Sequence, residues 1–129
     1  MLEFFLSKVF LNRYKQVEGW MGNPIRYQQE LLLEIIYKGC FTEFGAHHGF
    51  ERVKDYESYV KQVPVREYPQ FYPYIERMRK LEENVLWPGK VDMYSKSSGT
   101  TSGKSKYIPV TREYLEANHI QGASDTLSI

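Results

Sequence analysis

The sequence predicts an α+β fold that is mostly helical and has one β-hairpin near its C-terminal end. Two observations carry this prediction. Over residues 1–82, apolar side chains recur every three or four positions between capping residues and prolines, as in amphipathic helices. Residues 91–96 then alternate apolar and polar side chains, and residues 107–111 are β-branched and aromatic, as in strands.

The first predicted helix covers residues 1–11. Its apolar side chains share one helical face; they are Leu2, Phe5, Leu6, Val9 and Phe10. Glu3 and Lys8 interrupt the apolar run, no basic segment precedes it, and it is far shorter than a membrane span. We therefore expect a helix that faces the core, with no targeting segment and no membrane contact.

The second predicted helix has a signal at each end. Asn23 can cap its N-terminus, Pro24 suits the first helical position, and Lys38 and Gly39 suit the last turn. Its expected apolar stripe consists of Leu31, Leu32, Ile35 and Ile36.

Two shorter helices follow by the same reasoning. Asp55 can cap a helix that ends before Pro64. A further helix begins at Pro69 or Pro73 and ends near Leu81.

We expect residues 1–129 to form one unit, because a chain of this size supports a single hydrophobic core. Its parts are a helical scaffold over residues 1–82, the hairpin over 91–111 and a last helix, capped by Thr111, over 112–129. The last helix lacks a stop signal, so we expect the sequence to continue beyond it.

Residues 97–106 read SSGTTSGKSK and have the composition of an anion-binding loop. The two glycines allow a close backbone approach, and the hydroxyl and ammonium groups add hydrogen-bond donors. A polyphosphate suits such a loop, because hydrogen bonds to charged groups contribute about 1.5–3 kcal/mol each. A flexible Ser/Gly linker has a similar composition, but the strand-like flanks favour a loop that is held at both ends.

A Walker-type NTPase loop is the competing interpretation. It requires four residues between its glycines, and only Thr100, Thr101 and Ser102 separate the two glycines here. It also requires a helix directly behind Lys104, and Pro109 disfavours one. The two interpretations therefore predict different structures after Lys104, a strand in one case and a helix in the other.

The charged residues exclude one class of partner. Because 17 basic and 16 acidic side chains are interspersed, the formal net charge is +1 and no basic surface is expected for nucleic acid or an anionic membrane. Cys40 is the only cysteine, so no intrachain disulfide can form and a reducing, cytoplasmic compartment is expected.

No metal site is expected from the histidines and the cysteine. His47 and His48 are adjacent and point in different directions on any regular element, and Cys40 lies on another segment. His119 follows Leu115 by one helical turn, which is typical of a packed histidine and not of a catalytic base.

Six runs of residues occur in an order that resembles one known family. They are FGAHHGF at 44–50, DYESYVKQVPVREY at 55–68, PYIERM at 73–78, NVLWPGK at 84–90, SSGTTSGKSKYIPVT at 97–111 and NHI at 118–120. From about residue 28 to residue 125, the chain is similar to the auxin-responsive promoter family of acyl acid amido synthetases. The Ser/Thr/Gly loop alone is shared with the whole acyl-adenylate-forming superfamily. A small departure is Glu-Glu-Asn at residues 82–84, where the family more often has a glycine and an acid.

The resemblance implies a reaction. Enzymes of this family activate a carboxylic acid with ATP and Mg²⁺ to an acyl adenylate, and the amine of an amino acid then forms the amide. The chain would be the N-terminal portion of an adenylate-forming fold, without the acyl and adenine pockets and without a catalytic residue. We therefore expect the chain alone to be inactive and to self-associate through surfaces that a longer protein covers.

The resemblance also implies roles within the loop. The predicted phosphate-binding residues are Ser97, Ser98, Gly99, Thr100, Thr101, Ser102, Gly103 and Lys106. The hydroxyl groups would donate to phosphate oxygens, the glycines would shape the turn, and Lys106 matches the lysine that closes the family loop. Lys104 lies at a more variable position. The remaining alternative is a non-catalytic scaffold module that has kept the loop and binds no nucleotide.

Overall fold

A computed structural model describes residues 2–97, 105–120, 122 and 125, with the backbone alone for residues 2–10, 119 and 120. The chain divides into two compact units, one of Met1–Gln28 with Arg112–Ile129 and one of Gln29–Thr111. That residues 1–129 form one part of a larger adenylating domain stays a prediction.

The secondary structure is mainly helical. The helices are α1 (Leu2–Gly22), α2 (Pro24–Gly39), α3 (Glu43–His47), α4 (Tyr56–Gln62), α5 (Tyr68–Arg79) and α6 (Arg112–Tyr114). A 3₁₀ turn (Phe50–Arg52) precedes α4, and α6 continues as a π-helix (Leu115–Ile120). The strands β1 (Met93–Lys96) and β2 (Tyr107–Val110) pair antiparallel. The predicted α+β class, mostly helical with one hairpin, is confirmed. None of the helices in the described part of the chain is long and apolar enough to cross a membrane.

In the first unit, α1 continues past the predicted residues 1–11 and ends at Gly22. Arg13 on this helix forms an ion pair with Asp125, with 2.9 Å from Nη2 to Oδ2. The same guanidinium lies 4.4 Å from the centre of the Trp20 ring, so it has both a carboxylate and an aromatic partner. The predicted apolar face lies outside the described side chains; it consists of Leu2, Phe5, Leu6, Val9 and Phe10.

The predicted last helix begins at Arg112, as expected. Over Leu115–Ile120 it has π-helical hydrogen bonding, for which the sequence held no signal. Of its predicted continuation over residues 121–129, only Gly122 and Asp125 belong to the described residues. The side chain of His119 lies outside them as well.

Helix α2 has the predicted ends. The Asn23 side-chain oxygen accepts from the Arg26 amide (3.3 Å), so the N-cap is confirmed. The predicted apolar stripe is only partly right. Ile36 is buried and Leu32 packs against it in the core of the second unit, whereas Leu31 and Ile35 are exposed.

Two hydrophobic clusters form the core of the second unit, and Tyr74 and Leu86 pack against both. The buried residues of the first cluster are Ile36, Phe44, Phe50 and Val53. Those of the second are Met78, Val85 and Val91. Helix α5 contributes Tyr74 and Met78, so it is the element that joins the two clusters.

Side chains cap α4 and α5 at their N-termini. Asp55 caps α4 as predicted, because its carboxylate accepts from the Ser58 amide (2.7 Å) while Ser58 Oγ accepts from the Asp55 amide (3.1 Å). Helix α5 begins at Tyr68, so Pro69 lies in its first turn and Pro73 lies inside it. A proline inside a helix removes one backbone hydrogen bond.

The hairpin follows a closed turn. Asn84 and Gly89 have positive φ values of 59° and 73°, and the Asn84 side-chain oxygen accepts from the Gly89 amide (2.7 Å). The Asn84 and Val85 carbonyls accept from the first amides of α3 (2.8 and 3.1 Å), so the turn is attached to that helix. The strands then pair from Met93 with Val110 to Lys96 with Tyr107. The predicted hairpin is confirmed.

Candidate functional site

The ends of the predicted phosphate-binding loop meet at Ser97 and Lys106. The Ser97 amide donates to the Lys106 carbonyl (2.9 Å), and the Lys106 amide donates to Ser97 Oγ (3.2 Å). These two bonds extend the hairpin by one residue pair, so the segment between them leaves from a closed stem. The other predicted residues lie outside the described residues; they are Ser98, Gly99, Thr100, Thr101, Ser102 and Gly103.

The chain behind the loop is a strand. Lys106 is followed directly by β2, and the next helix begins at Arg112. A Walker-type loop requires a helix at this point. The Walker-type alternative is therefore wrong, for the reason that Pro109 suggested: it lies in the strand, paired with Tyr94.

Tyr68 attaches this stem to α5. Its hydroxyl accepts from the Tyr107 amide (2.8 Å) and donates to the Tyr107 carbonyl (3.3 Å). Tyr68 is the first residue of α5 and Tyr107 is the first residue of β2. The sequence held no signal for this contact, because its partners are 39 positions apart.

Two cationic side chains lie at the base of the loop. The Lys106 ammonium is 5.5 Å from the centre of the Tyr68 ring, and the Arg79 guanidinium is 3.9 Å from the centre of the Tyr107 ring. Glu76 also pairs with Arg79 (2.5 Å), and this hydrogen bond raises the pKa of Arg79 above its usual value. Lys106 is exposed, and a cationic side chain in this position favours an anion next to the stem.

His48 has partners for both ring nitrogens. Nδ1 lies 2.7 Å from the Phe44 carbonyl and Nε2 lies 2.8 Å from Nη2 of Arg66. Because a guanidinium only donates, Nε2 accepts and Nδ1 carries the proton, which describes a neutral ring. The ring also stacks on Phe44, with 4.1 Å between the centres. His48 is thus a structural residue.

A second charged cluster lies between α3 and α5. Arg77 binds Glu43 (Nη1 to Oε1, 2.9 Å) and Glu82 (Nε to Oε2, 2.9 Å). Hydrogen bonds from Arg77 hold the pKa of both carboxyl groups below the usual value. Glu82 belongs to the Glu-Glu-Asn segment at residues 82–84, and its contact here is structural. Among the described residues, no group of three or more His, Cys, Asp and Glu side chains could hold a metal ion.

A separate apolar groove of about 450 Å³ lies beside α2. It is lined by Leu33, Ile36, Tyr37, Cys40, Phe50, Glu51 and Val53. Glu51 is the single charged residue of this lining and pairs with Arg52 (3.3 Å), so the lining offers no cationic side chain to a phosphate. The groove is therefore unsuited to a polyphosphate, and the stem of the loop is the better candidate site.

Comparison with protein families identifies the class of protein to which this site belongs. Residues 13–127 match the GH3 family N-terminal domain. The chain belongs to the GH3 family. The match confirms the resemblance to the acyl acid amido synthetases that the sequence runs indicated.

Individual relatives are named as synthetases and ligases. The chain is 28% identical to the indole-3-acetic acid-amido synthetase GH3.6 of Arabidopsis thaliana over 106 residues, which are 81% of this chain and 17% of the relative. It is 30% identical to the jasmonoyl-L-amino acid synthetase JAR4 of Nicotiana attenuata over 93 residues, 71% of this chain and 16% of the relative. It is 31% identical to the 4-substituted benzoates-glutamate ligase GH3.12 of Arabidopsis thaliana over 103 residues, which are 79% of this chain and 18% of the relative. The chain thus spans about a sixth of the length of these curated relatives.

Proposed function

We propose that this chain carries the ATP phosphate-binding part of a ligase that joins a carboxylic acid to an amino acid. The ligase activates the acid as an acyl adenylate, releases pyrophosphate and transfers the acyl group to the amine. The observation that carries the proposal is the stem closed by Ser97 and Lys106, which delimits the Ser/Thr/Gly loop in a chain of the GH3 family. The chain would be the N-terminal portion of an adenylate-forming fold.

The chemistry of adenylation explains why such a loop is needed. Negative charge develops on the departing pyrophosphate, and donors that are already in place stabilise that charge more in the transition state than in the ground state. We assign this role to the hydroxyl groups of Ser98, Thr100, Thr101 and Ser102. Gly99 and Gly103 let the backbone approach the phosphates. Lys106 adds its exposed ammonium at the base of the loop.

A phosphate-binding loop of this kind can take Mg²⁺ together with ATP, without a cluster of protein ligands for the ion. Mg²⁺ commonly binds through substrate phosphates and water, and the described residues hold no cluster of metal ligands. The ion would arrive with ATP and neutralise phosphate charge. The lone Cys40 favours the reducing cytoplasm as the compartment of this reaction.

Titration of Mg-pyrophosphate and Mg-ATP into the chain tests the proposal, with the backbone amides of residues 97–106 followed by NMR. We expect shifts confined to the loop and its stem. The double variant Thr100→Ala and Lys106→Ala should bind about tenfold or more weakly, because it removes a donor and a charge. Lys90→Ala, which removes an exposed lysine outside the hairpin, is the matched control. A wild-type chain without shifts at millimolar ligand would favour the non-catalytic scaffold module.

We also propose that the chain self-associates. Leu31, Tyr37 and Phe41 of the second unit expose more than half of their surface, although they are large and apolar. Light scattering at high protein concentration should report dimers or larger species, and Tyr37→Ser with Phe41→Ser should shift them toward monomer. A wild-type chain that stays monomeric throughout would contradict this part of the proposal.

A further inference from the structure

We propose that Tyr68 is a positioning residue that fixes the direction in which the hairpin presents residues 97–106 to a polyphosphate. The inference rests on the proposed function of the loop. It concerns a residue outside the loop, on a different element, whose contact is with the backbone of β2.

The hairpin is weak by itself. Two strands without further support are marginally stable in water. Here β1 and β2 have four residues each. A loop at the end of so short a hairpin is held in place only if the hairpin is fixed to a rigid element.

Tyr68 binds the hairpin at the outer edge of β2. Ser97 and Lys106 exchange hydrogen bonds across the stem, and Lys96 and Tyr107 form the next pair. In an antiparallel ladder, alternate pairs direct their amides and carbonyls away from each other. The amide and the carbonyl of Tyr107 therefore lie on the outer edge of β2, where the Tyr68 hydroxyl binds both.

The helix that carries Tyr68, α5, is a rigid support. Ile75 and Met78 of α5 are 4% and 2% exposed, so the helix is embedded in the core of the second unit. Tyr68 is the first residue of α5 and Arg79 is its last, and both contact Tyr107. The first residue of β2 is thus held by its backbone at one end of the helix and by its ring at the other.

The contacts of Tyr68 and Tyr107 affect the ligand through the neighbouring Lys106. Tyr107 directly follows Lys106, whose ammonium lies over the Tyr68 ring at 5.5 Å. Loss of the Tyr68 hydroxyl leaves the ring, the core and the hairpin pairing in place. It releases the backbone of Tyr107 directly beside Lys106, and a small misplacement of a binding group weakens binding.

The experiment compares Tyr68→Phe with Tyr72→Phe. Tyr72 lies one helical turn further, with 6.3 Å between the two ring centres, and its hydroxyl makes no hydrogen bond to the described residues of the hairpin. We measure the hydrogen exchange of the Tyr107 amide and the dissociation constant for Mg-pyrophosphate. Tyr68→Phe should speed the exchange of that amide and weaken pyrophosphate binding about tenfold, while the loss of two hydrogen bonds lowers the unfolding midpoint only modestly. Tyr72→Phe should match the wild type in both.

The outcomes separate the two proposals. If the wild type binds no pyrophosphate, the proposed function fails. If the wild type binds and Tyr68→Phe binds equally well, only the positioning role is overturned. Should Tyr68→Phe fail to fold, Arg79→Lys keeps the charge and loses the planar stack on the Tyr107 ring. We expect about threefold weaker binding for that variant, and wild-type affinity would overturn the inference.

Discussion

Arg77 donates to both carboxylate oxygens of Glu43, at 2.9 and 2.5 Å, and so joins the last turn of α5 to the first residue of α3. The same guanidinium binds Glu82 beyond the end of α5. One cation therefore connects three segments of the second unit.

The first prediction concerns the pH dependence of this cluster. Arg77 lowers the pKa of Glu43 and Glu82 below the ordinary value of 4.5. The unfolded chain thus takes up protons at a higher pH than the folded chain, so the stabilisation is complete above pH 4.5 and is lost as pH falls through the lowered pKa values. Arg77→Gln should be less stable than the wild type at pH 7, and the difference should shrink below pH 4.5.

Urea unfolding at pH 7 and at pH 3.5 measures this change. Lys90→Gln is the control, because Lys90 is exposed and lies outside the cluster. A difference between Arg77→Gln and the wild type that stays constant over this range would contradict the linkage.

The second prediction concerns the core. Met78 is 2% exposed and belongs to the cluster with Val85 and Val91. Met78→Ala should lower the free energy of unfolding by about 2–5 kcal/mol, because it leaves a cavity. Val65 is fully exposed, and Val65→Ala should change the free energy by less than about 0.5 kcal/mol. Equal effects of the two substitutions in urea unfolding would show that this cluster does not carry the stability of the unit.

The third prediction concerns the turn before the hairpin. Gly89 has a φ of 73°, and a Cβ at this position would meet no atom within 4 Å. Gly89→Ala should therefore cost about 1–2 kcal/mol through backbone conformation alone. Thermal unfolding of Gly89→Ala beside Lys90→Ala measures the cost, and an unchanged midpoint for Gly89→Ala would contradict it.

The fourth prediction concerns activity. The chain spans about a sixth of the length of its relatives, and we place no catalytic residue in it. The isolated chain should show no exchange of pyrophosphate into ATP with any carboxylic acid, even if its loop binds both ligands. Exchange above the rate without protein would refute this expectation.

The sequence predicted best the features whose causes are local. The capping box of Asp55 and Ser58 joins residues three positions apart, and the strands beside the loop follow from alternation and β-branching. The exposed Ile35 was wrongly placed in the core stripe, because periodicity finds a helical face without showing how much of it is covered. The hydrogen bonds between Tyr68 and Tyr107 had no signal in the sequence, since no neighbouring residue distinguishes Tyr68 from Tyr72. The phosphate-binding roles of residues 97–103 and of Lys106 stay predictions.

The ion pair of Arg13 and Asp125 joins residues that are 112 positions apart. The first unit is therefore assembled from two separate stretches, Met1–Gln28 and Arg112–Ile129, whereas Gln29–Thr111 is continuous. A ribosome adds about 5–20 residues per second, so the continuous stretch leaves the tunnel before the partner of Arg13 does. Synthesis thus imposes an order, in which the second unit can gain its core early and α1 waits for Asp125 to be translated.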